Sequence, residues 1–200
     1  KGRLSSADIA DEFIAGSIAG MQEFRRDLQG GSFDDAVALL VAAPAVWVLG
    51  ARRSFAVASY LAYALQHTEK RVSLVSGLGG MFDGQVRGVQ QDDVMLVVSF
   101  QPYAEESLQC ARQAAARGAR LVAITDSRMN PLAAMAHVTL VVFESSTFGF
   151  RSLTNTMCLA QSLFIALAYR TELLYNPGPT DPISAGRAGM DPTPLPQDSA

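Results

Sequence analysis

Apolar residues follow two rhythms along this chain, and the change comes near residue 45. Before it, Ile9, Phe13, Ile14, Ile18, Met21, Phe24 and Leu28 recur at helical intervals. That spacing predicts one amphipathic helix. Ser5-x-x-Asp8 has capping-box form at its start, and Gly30-Gly31 ends it. Ser32-x-x-Asp35 opens a shorter helix to about Val41, stopped near Pro44. From Ala45 onward, runs at 45–49, 72–75, 94–98, 121–124 and 138–143 are aliphatic or β-branched and do not alternate with polar residues. Such runs predict strands buried on both faces of a parallel sheet. Helices are expected between most of them, at about 54–67, 84–90, 104–117 and 130–136. Gly118 suits the stop of the third. A last helix is expected over about 152–171. It is apolar nearly all round, so it belongs in the core or against another subunit.

This grammar divides the chain into a helical extension or linker (1–44), a main α/β domain (45–172) and a tail (173–200). The tail carries Pro177, Pro179, Pro182, Pro192, Pro194 and Pro196 and has no core of its own.

Composition narrows the possible partners. The 200 residues suffice for one domain with a sizeable core, and 49% are hydrophobic. A net charge of −3 leaves no bulk basic surface, so this portion is not expected to bind DNA by itself. Cys110 and Cys158 stand far apart, with no metal spacing or disulfide framework. That fits a reducing compartment, and no metal or cofactor is expected. The longest apolar run, Ala36–Leu49, is broken by Pro44 and too short to span a bilayer. With no signal peptide apparent, a cytoplasmic location without a membrane partner is expected. The chain starts at Lys1, so a fragment is expected, with function also lying upstream.

Two loops carry the candidate chemistry. Val46–Leu49 runs into Gly50-Ala51-Arg52-Arg53-Ser54, and Val94–Val98 runs into Ser99-Phe100-Gln101-Pro102-Tyr103. In open α/β sheets, ligands bind outside the carboxyl ends of the strands. Gly50 permits a tight turn, and Ser54 stands where an N-cap belongs. Arg52 and Arg53 can grip phosphate or carboxylate in a bidentate way. Ser99 and Gln101 can hydrogen-bond a ligand, and Tyr103 can stack on a sugar face. Pro102 fixes the turn. Glu105 and Glu106 follow in a first helical turn, where carboxylates offset the helix dipole.

Other candidates are weaker. Thr125-Asp126-Ser127 ends at the same sheet edge but consists of ordinary turn formers. The loop Gly77–Gly84 lacks both the Lys-Ser/Thr ending of a phosphate loop and a dinucleotide fingerprint. It suits a mobile lid or a plain connection. His67 and His137 sit beside neither main loop, and both cysteines are expected as packing residues on helices.

At these loops the chain resembles the sugar isomerase (SIS) domain, in particular the effector-binding half of MurR/RpiR-type bacterial transcriptional regulators. The resemblance covers about 45–170, with the helix at 5–29 in the place of their linker helix. Residues 50–54, Asp93-Val94 and 99–106 carry it, extended by Gly118–Ser127 and Pro131-Leu132-Ala133. It implies a three-layer α/β/α fold with a five-stranded, flavodoxin-like parallel sheet. It also implies a homodimer or tetramer and a phosphosugar or related metabolite at Gly50, Arg52, Arg53, Ser54, Ser99, Phe100, Gln101, Tyr103 and Glu106. Gln101, Pro102 and Ala104 stand where phosphosugar binders usually have Ser, Gly and Thr. That removes two phosphate-binding hydroxyls and opens the site to a carboxylate, a sugar acid or another polar effector.

The first expectation is therefore a ligand-sensing domain of a transcriptional regulator, contacting DNA only through an upstream segment. The alternative is a sugar-phosphate aldose–ketose isomerase, which needs a positioned base. Glu105, Glu106 and Glu144 are the candidates for that role. An interaction scaffold with an empty site is the third possibility.

Overall fold

Strands form where the aliphatic runs lie, because each run buries both of its faces. The computed structural model describes residues 4–28 and 31–171; the expected tail and Gly30 lie outside them. Strands β1 (Ala45–Gly50), β2 (Arg71–Val75), β3 (Val94–Val98), β4 (Arg120–Thr125) and β5 (Val138–Val141) form one parallel sheet in the order β2-β1-β3-β4-β5. All five residues of central β3 are buried.

Helices α1 (Ser6–Asp27), α2 (Gly31–Ala42), α3 (Phe55–Leu65), α4 (Phe82–Val86), α5 (Glu105–Ala116) and α6 (Thr154–Arg170) complete a three-layer α/β/α arrangement. Alternate residues of β3 feed two cores. Val94, Leu96 and Val98 pack with α2, α3 and α6, while Met95 and Val97 pack with α4 and α5. Helix α2 is integral to the first core, with Ala36, Val37 and Leu40 buried.

The start of α1 is the expected capping box: Asp8 N–H donates to Ser5 Oγ (3.1 Å) and Ser5 N–H to the Asp8 carboxylate (2.9 Å). The α5 stop is also as expected. Gly118 has φ +85°, and Ala119 N–H and Gly118 N–H bond back to Ala114 O and Ala115 O in Schellman fashion.

Some expectations fail locally. Residues 131–135 form a turn instead of a helix. Asn130 accepts from Ala133 N–H and donates to Ser127 O and Thr125 Oγ1, so side-chain bonds replace the helical ladder. The helix expected at 84–90 is the shorter α4. Helix α6 buries one face against α1, α2 and α3, while Ile165 and Tyr169 on its other side are exposed. Between β5 and α6, β6 (Ser146–Thr147) and β7 (Phe150–Arg151) form a short hairpin that the hydrophobic pattern does not announce.

Candidate functional site

Strand β1 lies between β2 and β3, so the chain leaves β1 toward one side of the sheet and β3 toward the other. The turns after these strands diverge there, and this switch point is where open α/β sheets leave a crevice.

The first turn passes from Gly50 through Ala51 and one 3-10 turn, Arg52–Ser54, into α3. Gly50 serves a different purpose from the expected tight turn. A Cβ on it would lie 2.6 Å from Ser54 O and 2.9 Å from Ala58 Cβ. Its missing side chain lets the turn and α3 close onto the strand. Ser54 is buried and makes no side-chain cap bond. Its backbone is already helical (φ −70°, ψ −15°), not the extended form an N-cap needs. Arg52 has φ +56°, sparsely populated for a side-chain-bearing residue and frequent at functional sites. Its guanidinium meets Glu106 at 3.2 and 3.4 Å. Arg52 is largely exposed and Glu106 half-buried, so the pair contributes about 1 kcal/mol at most.

The second turn is organised by Asp126, which the sequence marks only as a turn former. Its carboxylate accepts from Gln101 N–H (3.1 Å), Tyr103 Oη–H (2.7 Å) and Arg151 Nη1 (3.4 Å). Burial alone would raise the pKa of Asp126. The bonds from Tyr103 and Gln101, with the Arg151 charge, outweigh it and hold the carboxyl below its ordinary value. Tyr103 moves the opposite way: burial, then the Asp126 contact, raise its phenol. The Tyr103 hydroxyl is thus engaged with Asp126.

Arg151, fifty positions from Gln101, completes the site. It donates to Gln101 O and lies over the Phe100 ring, 5.7 Å from its centroid, at cation–π distance. The turn of the β6–β7 hairpin delivers it. Phe148 (φ +52°) and Gly149 (φ +78°) are both left-handed, as a type I′ turn requires. Arg53 fastens this segment to the first turn by donating to Arg151 O (2.8 Å) and Ser152 O (2.7 Å). Burial and the neighbouring Arg151 charge lower the pKa of Arg53.

A cleft of about 350 Å³ results. Of the expected site residues, Arg52, Arg53, Ser54, Ser99, Phe100 and Gln101 line it, and Arg151 joins them. Gly50, Tyr103 and Glu106 stand behind its walls: Gly50 by packing, Tyr103 through Asp126 and Glu106 through Arg52. No signal local to residue 151 marks Arg151, because a turn distant in sequence brings it in.

The remaining candidates are committed elsewhere. Glu105 pairs with Arg112 at 2.9 Å. The Glu144 carboxylate accepts from the N–H groups of Asn155 and Thr156 and from the Thr156 hydroxyl, capping α6. His137 Nδ1 accepts from Leu121 N–H (3.1 Å), and the His67 ring meets Tyr63 edge-on. In the glycine-rich loop, Gly77 N–H donates to Gln85 Oε1 (2.8 Å), away from the cleft. Cys110 is buried, its thiol pushed up to about 11 by burial and by Asp83 and Glu106, which makes a poor nucleophile. Cys158 is half-buried on α6. Among the described residues, no three His, Cys, Asp or Glu side chains are grouped to hold a metal ion, and no helix is long and apolar enough to cross a membrane.

A larger cavity, about 710 Å³, lies between α1, α2 and the β4–β5 edge. Among the described residues, Glu23, Asp27 and Asp126 line it, with Arg128 as the one cation.

Comparison with known proteins identifies the family and the fold. The family profile described as SIS domain matches residues 39–166. The fold is similar to the sugar isomerase domain of an RpiR transcription factor from Sphaerobacter thermophilus, with a TM-score of 0.75 and 24% identity over 80% of this chain and 90% of that one. It is also similar to the Vibrio vulnificus NanR protein complexed with ManNAc-6P, with a TM-score of 0.73 and 22% identity over 84% and 64%. A phosphoheptose isomerase from Francisella tularensis shares it too, with a TM-score of 0.69 and 16% identity over 83% and 100%. Comparison with curated protein sequences gives no match.

Proposed function

The chain belongs to the SIS domain family, and from that premise we propose that it is the metabolite-sensing domain of a bacterial RpiR-type transcriptional regulator. The effector is an anionic carbohydrate derivative, a sugar phosphate or sugar acid, held in the cleft at the β1/β3 switch point. One observation carries this reading: Arg52, Arg53 and Arg151 converge on a cleft that, among the described residues, no carboxylate lines. Guanidinium groups there match phosphate or carboxylate geometry. The buried Ser99 and the loop backbone supply polar contacts beside them.

The isomerase alternative needs a positioned base within reach of the sugar carbons. Glu106 is engaged by Arg52, Glu105 by Arg112 and Glu144 by the start of α6. None of the three is among the described residues that line the cleft, which favours sensing over turnover. The regulator and isomerase relatives share the fold, so the site and not the fold decides. Self-association is part of the proposal, supported by Ile9, Ile14 and Ile18 exposed along α1. DNA would be contacted through a segment preceding α1.

Thermal-shift screening against sugar phosphates and sugar acids tests this. A saturable rise in melting temperature is expected, since a ligand that binds the folded state stabilises it. The rise should shrink in Arg151→Ala at the same ligand concentration. Turnover of a sugar phosphate, abolished by Glu106→Gln, would establish the isomerase instead.

A further inference from the structure

We propose that the effector is an amphipathic anion, with its charged group in the cleft and an apolar substituent in a second pocket on the other side of Arg53. This rests on the cleft being an anion site and assigns the other half of the ligand. The second pocket holds about 410 Å³. Its apolar walls are Phe13 of α1, Phe150 of the hairpin, and Leu153 and Met157 at the start of α6.

Arg53 lines both this pocket and the cleft, and is the residue common to them. Its bonds to Arg151 O and Ser152 O fix it between the two spaces. The other polar residues here, Ser152 and Thr154, satisfy each other. Their hydroxyls lie 2.6 Å apart, and Thr154 N–H donates to Ser152 Oγ at 2.9 Å. Among the described residues, no carboxylate lines the pocket. Its surface therefore offers apolar burial beside one fixed cation and little polar recognition.

Phe150 is 70% exposed, so an apolar group laid against it removes a large aromatic surface from water. The chemistry that fits both halves is a phosphate or carboxylate carrying an acyl or alkyl group of several carbons. Each methylene buried in the second pocket should tighten binding about fourfold. Phe13 belongs to α1, so such a ligand would touch the N-terminal helix as well as the sheet edge.

Calorimetric titration of the whole chain with methyl phosphate and hexyl phosphate tests the inference. Hexyl phosphate is expected to bind at least tenfold more tightly. That ratio should fall toward one in Met157→Trp, which fills the pocket. It should also fall in Phe150→Ser, which removes an exposed wall without disturbing the core. Equal affinity for the two phosphates in the unsubstituted chain would overturn the apolar pocket and leave the anion cleft standing. A ratio unchanged in both variants would overturn the location. Binding of neither phosphate would overturn the anion cleft and this inference together.

Discussion

Two concavities at the carboxyl edge, the cleft and the cavity beside α1 and α2, differ in size and in charge, and the two properties point in opposite directions. The larger, about 710 Å³, is walled among the described residues by three carboxylates and one arginine. The smaller, about 350 Å³, is walled among the described residues by three arginines and no carboxylate. Volume would choose the first. The sheet topology and the charge of the expected ligand choose the second, because an anion entering the acidic cavity would meet repulsion. Asp126 belongs to the larger cavity yet holds Gln101 N–H and Arg151 of the smaller. It is an internal carboxylate resting on donors that also suit an external one.

The largest effect should come from Gly50→Ala. Its new Cβ would meet the Ser54 carbonyl, and backbone cannot step aside as a flexible side chain can. A cost of about 3 kcal/mol is expected. That corresponds to a melting point lower by roughly 6–12 °C. Differential scanning calorimetry reads it, and the cleft should lose its ligand response while the acidic cavity, walled by other elements, stays intact.

Arg151→Ala should weaken anion binding by about tenfold or more, the scale of one charged hydrogen bond. Arg128→Ala, in the acidic cavity, should leave it within twofold. Parallel titrations of these two variants separate the concavities directly, and equal losses would erase the distinction.

Asp126→Asn should have a smaller effect of opposite sign. Removing the competing charge frees Arg151 and should raise anion affinity several-fold by calorimetry. The same residue gives the fold an acid sensitivity. Its folded pKa is depressed below the ordinary 3.8, so its contribution is complete above that value. The contribution is lost as pH falls through the depressed value. Melting curves between about pH 5 and pH 2 should therefore fall less steeply for Asp126→Asn than for the native chain. The smallest effect is expected from Glu23→Gln with Asp27→Asn: less than twofold on anion affinity at physiological salt, where distant exposed charges are screened.

The strands were legible because a doubly buried strand has no polar alternation, as Val94–Val98 illustrates. The two loops were legible because sheet topology places ligands at strand ends. The turn at 131–135 departs from its sequence pattern because Leu132, Ala133 and Met135 suit a helix, while Asn130 redirects the backbone through its own amide. Arg151 was not visible. Its position depends on Phe148 and Gly149 both adopting left-handed backbone, and Phe-Gly is not among the pairs that usually announce such a turn. Asp126 looked like a turn residue because its partners, Gln101, Tyr103 and Arg151, lie 23 to 25 positions away.

The central claim is that the cleft, and not the larger cavity, receives the anion. Backbone amide shifts measured by NMR, while sugar phosphates and sugar acids are titrated into the chain, test it most directly. The account predicts saturable shifts at Ala51–Ser54, Ser99–Gln101 and Arg151. Shifts confined to Glu23–Leu28 and Thr139–Phe143, or no saturable shift with any of these anions, would contradict it.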